Sequence, residues 1–160
     1  MTDRTTPERR SVRMSEEETW AMLDRSLVGI LTTLRRDGRP VALPVWYVVL
    51  DHRVYVSTRG KKLVRAGHDP RASFLVEAGD RWAELRAVHL DCRATVLDPE
   101  SELAGRVREA LDTKYGAYRT PATDMPVATR DHYARSLGAV LELVPEGRVL
   151  TWDNRHLGLS

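Results

Sequence analysis

Residues 53–76 read RVYVSTRGKKLVRAGHDPRASFLV, and this segment says most about the fold. A strand-like stretch ends in Ser57 and Thr58, and after Arg59 and Gly60 a short helical stretch opens with Lys61 and Lys62. The start of a helix presents unpaired N–H groups and partial positive charge, so hydroxyl and ammonium donors at this point favour phosphate binding. Such a run of charge is also typical of a solvated basic turn, and its spacing alone leaves both interpretations open.

The composition of the chain limits the function classes. With 160 residues it has the length of one domain with a substantial core, and 25 basic against 23 acidic residues leave a net charge of only +2. This balance argues against a nucleic-acid or membrane surface as partner. The single cysteine, Cys92, excludes an internal disulfide and favours the cytoplasm. No apolar run approaches the roughly 18 residues of a membrane span, and the polar start does not resemble a signal peptide.

Apolar and alternating stretches predict seven strands. They cover residues 27–34, 39–50, 54–57, 72–77, 86–97, 139–144 and 148–152. The pairs Asp37-Gly38 and Asp51-His52 predict tight hairpins, since the first pair in particular supplies the positive φ values that such turns need. Short strands joined by tight turns, with a helix at residues 61–68 between two of them, predict a mainly β protein: an antiparallel barrel with short helices.

Helix signals lie at both ends of this strand pattern. Ser15 and Glu18 form a capping box for a helix that runs to about residue 24, so residues 1–14 are expected to be a flexible arm and residues 15–160 a single domain. Asp98, as N-cap, and Pro99 predict a second helix to about residue 115, with Lys114 on its exposed side. Residues 115–129 are expected to form a loop, followed by a short helix over 130–136.

Three stretches together resemble the pyridoxamine 5'-phosphate oxidase-like family. They are GRPVALPVWYVV at 38–49, VSTRGKK with its continuation HDPRASFLV at 56–76, and WAELRAVHLDCRATVL at 82–97. The resemblance implies a flavin-binding split β-barrel that is antiparallel, Greek-key-like and homodimeric. The wording PVWYVV and AELRAV is similar to an actinobacterial branch in which many members use the deazaflavin F420 instead of FMN.

The resemblance also implies a set of cofactor-binding residues. For the phosphate they are Ser57, Thr58, Lys61 and Lys62, with Arg59 and Arg65 beside them; for the edge of the ring, the backbone of Val45, Trp46 and Tyr47; and for a flavin on the partner subunit, Trp152 and Arg155. Trp46 is equally compatible with ordinary packing, and Cys92 reads as a small buried residue. No catalytic side chain is expected, because in flavin chemistry the cofactor carries the reaction. No metal site is expected either, because the five histidines are scattered and neither CxxC nor HExxH occurs.

The expected function is therefore that of an oxidoreductase. It would use bound F420 or FMN, with a preference for F420, to transfer hydride to a small organic substrate at the interface of a cytoplasmic homodimer. A non-catalytic flavin or heme carrier on the same barrel is the first alternative. The second is a pyridoxamine 5'-phosphate oxidase proper, which is disfavoured because only Arg155 and His156 resemble its C-terminal substrate-phosphate residues.

Overall fold

A computed structural model describes residues 10–135 and 138–158 of the chain. Within these residues there are seven strands, which form one sheet, and four α-helices. The strands are β1 (Gly29–Leu34), β2 (Pro40–Val45), β3 (Tyr47–Leu50), β4 (Arg53–Thr58), β5 (Arg71–Ala78), β6 (Arg86–Val96) and β7 (Ala139–Asp153). The helices are α1 (Glu16–Arg25), α2 (Lys61–His68), α3 (Glu102–Tyr115) and α4 (Val127–Arg135). Short 3-10 turns cover Trp82–Glu84, Gly116–Tyr118, Ala122–Asp124 and Asn154–Leu157.

The order of the strands explains why the sheet curls. The order is β2-β1-β5-β6-β7-β4-β3, and every paired neighbour is antiparallel. The two edge strands, β2 and β3, are separated in the chain by a single residue, Trp46. One residue cannot bridge the width of a flat sheet of seven strands, so the sheet must curl until its edges meet. The predicted antiparallel split barrel is confirmed.

Both predicted hairpins are present, and the backbone shows why. Asp51 and His52 have φ values of 50° and 56°, the pair of positive angles that a two-residue hairpin between twisted strands requires. Gly38 has a φ of 82° in the hairpin between β1 and β2. These turns depend only on local backbone geometry, which the sequence determines directly.

Two strand boundaries differ from the prediction. Residues 39–50 were expected as one strand, but Trp46 divides them into β2 and β3, because the chain passes from one edge of the sheet to the other at this residue. Residues 139–144 and 148–152 were expected as two strands, but they form the single strand β7. Gly147, with a φ of 67°, lies near an irregularity in the register opposite His89 and Asp91, so its turn-like sequence marks a bulge.

Side-chain caps mark where α1 and α3 begin. The capping box is confirmed, since the N–H of Glu18 donates to Oγ of Ser15 at 3.1 Å and the N–H of Ser15 donates to Oε2 of Glu18 at 2.7 Å. The expected N-cap of α3 is wrong: Oγ of Ser101 accepts from the N–H of Ala104, and Asp98 instead closes the preceding turn. The expected loop over 115–129 is also partly helical, because two 3-10 turns and the start of α4 lie within it.

Two groups of buried side chains hold the sheet and helices together. The barrel interior is filled by large apolar side chains from all around the sheet, among them Leu31, Tyr47, Phe74, Val88, Leu90 and Leu141. A second group packs α3 on the outside of the barrel: Val48, Tyr55, Val107, Leu111, Tyr115 and Val140. Cys92 is buried as expected, and burial raises the pKa of its thiol to about 12.

The N-terminal arm is only partly within the described residues, since residues 1–9 lie outside them. Of the remainder, Val12 accepts a hydrogen bond through its carbonyl from the N–H of Asp153 at 2.7 Å, and Met14 is buried. The division into an arm over 1–14 and one domain over 15–160 stays a prediction. Among the described helices, none has the length and apolar character that a membrane span requires.

Candidate functional site

The end of β4 and the start of α2 form a basic turn. Ser57 is exposed and Thr58 is buried, and both pair with the beginning of β7. Gly60 follows with φ of 67° and ψ of −137°, a conformation that is essentially restricted to glycine. It lets the chain reverse from the strand directly into α2, whose N-terminus has no side-chain cap. The first N–H groups of this helix therefore face the turn without a side-chain acceptor.

The two lysines of this turn have no counter-ion within the part of the chain that the structure describes. Neither Lys61 nor Lys62 forms an ion pair with a described residue, and the first turn of α2 contains no acidic residue. By contrast, arginines on the neighbouring strands do form ion pairs, such as Arg71 with Asp69 at 2.7 Å and Arg93 with Glu146 at 2.8 Å. Two ammonium groups, the exposed hydroxyl of Ser57 and a helix start without a side-chain cap thus follow one another closely along the chain, and this arrangement is suited to a phosphate group.

The two arginines next to these lysines have partners within the chain. Nη1 of Arg59 donates to the carbonyl of Tyr133 at 2.9 Å, and its guanidinium lies 4.6 Å from the centre of the Tyr133 ring. Nε of Arg65 donates to Oγ1 of the buried Thr33 at 2.7 Å. Arg59 therefore ties α4 to the turn, and Arg65 ties α2 to β1. Both add positive charge to the surroundings while part of their hydrogen-bonding capacity is used elsewhere.

The crossover between the edge strands, Val45-Trp46-Tyr47, lies beside this basic turn. Tyr47 pairs with Val56, so the antiparallel register places Trp46 level with Ser57. Trp46 is 39% exposed although it stands at the junction of two strands. The basic turn and the crossover thus lie next to each other on one side of the barrel, as the resemblance implied for phosphate and ring.

Tyr115, at the end of α3, contacts the crossover through both its ring and its hydroxyl. Its ring stacks on that of Trp46, with centroids 4.6 Å apart and planes 8° from parallel. Its hydroxyl accepts the N–H of Tyr47 at 3.0 Å and lies within donating distance of two carbonyls, of Tyr47 at 2.7 Å and of Leu27 at 2.9 Å. The sequence analysis missed this residue, although its spacing of four from Leu111 continues the apolar stripe of α3.

Lys114 does not lie on the exposed side of α3, so that expectation is wrong. Its Nζ is buried without a hydrogen-bond partner among the described residues and lies 4.4 Å from the centre of the Tyr47 ring. Burial lowers the pKa of this ammonium, and the nearby charge of Asp24 partly opposes that shift. The buried face of α3 is wider than the sequence suggested, because this helix packs on the sheet and on the crossover at the same time.

Trp152 and Arg155 lie far from the basic turn along β7. Thr58 pairs with Ala139 at the start of this strand, whereas Trp152 pairs with Ala87 near its end. Trp152 is half exposed, and its indole N–H donates to Oδ1 of Asn154 at 2.6 Å. A single chain therefore does not bring Trp152 together with the lysines.

Arg155 is anchored by a buried carboxylate. Its Nε and Nη2 donate to the two oxygens of Asp153 at 2.9 and 2.6 Å, and the side chain of Asp153 is 1% exposed. The hydrogen bonds from Arg155 lower the pKa of Asp153. About half of the Arg155 side chain still faces solvent, so the guanidinium is held in one orientation while remaining accessible.

A groove of about 470 Å³ runs along the outer face of β6 and β7 beside Trp152. Ala87, His89 and Leu150 line it, together with residues 11–13 of the N-terminal segment. Nδ1 of His89 is buried here without a hydrogen-bond partner among the described residues. The sequence did not indicate that N-terminal residues border this groove.

Comparison with known proteins shows which family and which solved structures the chain is similar to. The family model described as pyridoxamine 5'-phosphate oxidase matches residues 15–146. A conserved hypothetical protein of Mycobacterium tuberculosis is 30% identical, with a TM-score of 0.77 over 97% of this chain and 94% of that one. No curated protein matches the chain.

More distant solved structures share the fold alone. A FAD-binding protein of Mesorhizobium loti is 19% identical, with a TM-score of 0.65 over 86% of this chain and 94% of that one. The heme storage protein HutZ of Vibrio cholerae is 16% identical, with a TM-score of 0.67 over the same shares of the two chains. Proteins with different ligands are thus built on the same barrel.

Proposed function

The chain belongs to the pyridoxamine 5'-phosphate oxidase family, and on that premise we propose that it is a flavin- or deazaflavin-dependent oxidoreductase. It would transfer hydride between bound F420 or FMN and a small organic substrate. The site would lie between the two subunits of a cytoplasmic homodimer.

The observation that carries this proposal is the positive charge of Lys61 and Lys62, for which the described residues provide no ion pair. Two of the three lysines of the chain lie at the start of α2, without ion pairs to described residues and without a capping side chain. Cations at a helix N-terminus are unfavourable for the helix itself, by about 0.3–1 kcal/mol each. The charges of Lys61 and Lys62 thus lower the stability of the helix, and a bound phosphate would offset this effect.

The residues of the turn fit a phosphate. Lys61 and Lys62 would neutralise its charge, Ser57 and Thr58 would donate hydroxyl hydrogen bonds, and the first N–H groups of α2 would complete the seat. Gly60 lets the backbone approach closely because it has no side chain. Arg59 and Arg65 would contribute charge rather than direct contacts, because part of each guanidinium is already bound within the chain.

The crossover would orient the ring. The bound cofactor supplies the hydride chemistry, so the task of the protein is to place the ring, exclude water and position the substrate. The N–H and C=O of Tyr47 are both bonded to Tyr115, which leaves the backbone of Val45 and Trp46 to meet the ring edge. The exposed part of the Trp46 side chain would cover apolar surface of the ring or substrate.

A second subunit would complete the site. Trp152 and Arg155 lie at the far end of β7 from the lysines, so their proposed contacts with the cofactor require a neighbouring chain. Exposed apolar side chains at both places, Leu43 and Trp46 at one and Leu150 and Trp152 at the other, would be covered by such an interface. F420 is preferred over FMN because its longer anionic tail would gain more from the charge of Arg59 and Arg65.

A heme or flavin carrier is the second candidate. It is favoured by the similarity of the fold to a heme storage protein, and it would bind its ligand without turnover. A pyridoxamine 5'-phosphate oxidase proper is the third. His156 binds Glu18 at 3.1 Å and Arg155 binds Asp153, so both C-terminal residues that would hold a substrate phosphate already have acidic partners.

One titration series separates these candidates. The purified protein is titrated with F420, FMN and hemin in turn, and absorption and fluorescence report binding; each reduced flavin or deazaflavin is then offered organic acceptors and its reoxidation is followed. Micromolar binding of F420 or FMN with acceptor-dependent reoxidation supports the oxidoreductase. Binding of hemin alone, or cofactor binding without any turnover, favours the carrier and rejects the enzyme.

A further inference from the structure

The hydroxyl of Tyr115 lies among three backbone groups from two separate segments. It accepts the N–H of Tyr47 at 3.0 Å, and the carbonyls of Tyr47 and Leu27 lie 2.7 and 2.9 Å from it. A phenol has one hydrogen to donate, so the two carbonyls share it. Tyr115 itself is only 1% exposed, and burial raises the pKa of its hydroxyl, so it stays a donor at neutral pH.

The hydrogen bonds of Tyr115 take the place of backbone pairing with a further strand. Tyr47 is the first residue of β3, and β3 is an edge strand whose only neighbour among the described strands is β4. The N–H and C=O that point away from β4 would lack partners in a buried location, which is costly for backbone groups. The single hydroxyl of Tyr115 satisfies both, and it links the crossover to the segment before β1 through Leu27.

The ring of Tyr115 acts on the neighbouring residue at the same time. It lies parallel to the indole of Trp46, with 4.6 Å between centroids. The hydroxyl thus fixes the backbone on one side of Trp46 while the ring supports its side chain. Both effects meet at the segment that the proposed function assigns to the edge of the cofactor ring.

We propose that Tyr115 is a positioning residue for cofactor binding: its hydroxyl fixes the path of the Val45-Trp46-Tyr47 crossover and its ring fixes the indole of Trp46. This inference rests on the proposed function for its ligand. It does not involve the phosphate seat, which lies on β4 and α2 and contains no group bonded to Tyr115.

Tyr115→Phe tests the hydroxyl and keeps the stacked ring. Loss of the bonds to Tyr47 is expected to speed hydrogen exchange of the Tyr47 amide in the cofactor-free protein by about tenfold. The dissociation constant of the cofactor, measured with FMN and with F420, is expected to rise about tenfold as well. Inorganic phosphate, used alone as a competitor of FMN, should keep its inhibition constant because it needs only the seat.

Tyr55→Phe is the matched control. Tyr55 is buried in the same side-chain group under α3, and its hydroxyl bonds Glu142 at 3.1 Å instead of the crossover. This variant should leave both the Tyr47 exchange rate and the FMN dissociation constant unchanged. If Tyr55→Phe weakens FMN binding as much as Tyr115→Phe does, loosening of the whole group explains the effect, and the inference is wrong.

The wild-type protein gives a test that needs no variant. The Tyr47 amide, although on an edge strand, should be as protected from exchange as amides of the central strands β5 and β6. An unprotected Tyr47 amide overturns the inference, even if Tyr115→Phe cannot be folded. If wild type binds neither FMN nor F420, the proposed function fails and the cofactor role of Tyr115 fails with it; cofactor binding with no difference between wild type and Tyr115→Phe rejects the inference alone.

Discussion

Lys62→Ala should change stability and cofactor binding in opposite directions. In the absence of ligand, the ammonium lies in the first turn of α2, next to Lys61 and with no acidic residue in that turn. Removing a cation from a helix N-terminus gains about 0.3–1 kcal/mol, and alanine is at least as good a helix former as lysine. For a chain of this size, that gain raises Tm by about 1–3 °C.

With cofactor, the sign reverses. A charge-assisted hydrogen bond to phosphate contributes about 1.5–3 kcal/mol, so its loss weakens binding roughly ten- to a hundredfold. The described structure provides no internal ion pair for Lys62, so the whole of this loss should fall on the ligand rather than on folding. A lysine in a merely solvated turn would show no effect on binding, because the destabilising contribution arises from the helix start and not from a ligand.

The assay pairs a thermal melt of cofactor-free protein with FMN and F420 titrations, all in buffer without phosphate or sulfate, since either anion would occupy the seat. Arg106→Ala is the matched control, because Arg106 is exposed on α3 and forms no ion pair with a described residue. It removes the same unit of charge at a distance from the turn and should leave both dissociation constants unchanged. Equal affinities of wild type and Lys62→Ala would refute the reasoning, and so would an equal loss in the Arg106 variant.

Four other features of the protein can be tested: the proposed dimer, the cofactor tail, Lys114 and Cys92. Sedimentation at micromolar concentration should give about twice the 18.1 kDa chain mass, and Trp152→Ala should shift the protein toward monomer and weaken cofactor binding together; a cofactor-saturated monomer would contradict this. Binding of F420 should fall more steeply between low and high salt than binding of a tail-truncated deazaflavin, because more charges are screened; parallel salt curves would argue against a role of the tail. Burial lowers the pKa of Lys114 in the folded state, so between that lowered pKa and 10.5 the unfolded chain binds more protons than the folded chain does. The free energy of unfolding should therefore rise with pH in this window. Lys114→Met should abolish this rise and increase Tm at pH 7 by about 2–4 °C, a gain of ~1 kcal/mol; an unchanged melt would mean that the ammonium is solvated. The thiol of Cys92, with a pKa raised to about 12, should resist alkylation at pH 8 until the protein is unfolded, and rapid labelling of the native protein would disprove its burial.

Much of the fold could be predicted because its signals are local. The positive φ values of Asp51 and His52, the capping box of Ser15 and the turn at Gly38 each depend on a few consecutive residues. Backbone sterics and nearby hydrogen bonds decide such features, so the sequence identified them without knowledge of the rest of the chain. The basic turn at Lys61 and Lys62 belongs to the same group, since strand end, glycine and helix start follow one another directly.

Other features depend on closure of the sheet, and no local pattern carries them. The alternation over residues 39–50 continues across Trp46 without interruption, and only the meeting of the two sheet edges divides it. The turn-like sequence around Gly147 stays within β7, because pairing with β6 on both sides outweighs the local preference. Asp98 was the N-cap that the sequence predicted, but α3 begins after Ser101, whose Oγ accepts a hydrogen bond from the N–H of Ala104.

The candidate site divides in the same way. Its basic turn was predictable from the sequence, because strand end, hydroxyl residues, lysines and helix start follow one another directly along the chain. The role of Tyr115, the burial of Lys114 and the distance between the lysines and Trp152 were decided only by the tertiary structure. All three depend on how segments more than 60 residues apart in the chain lie relative to one another. The curled sheet decides this, because it sets which strands and helices become neighbours.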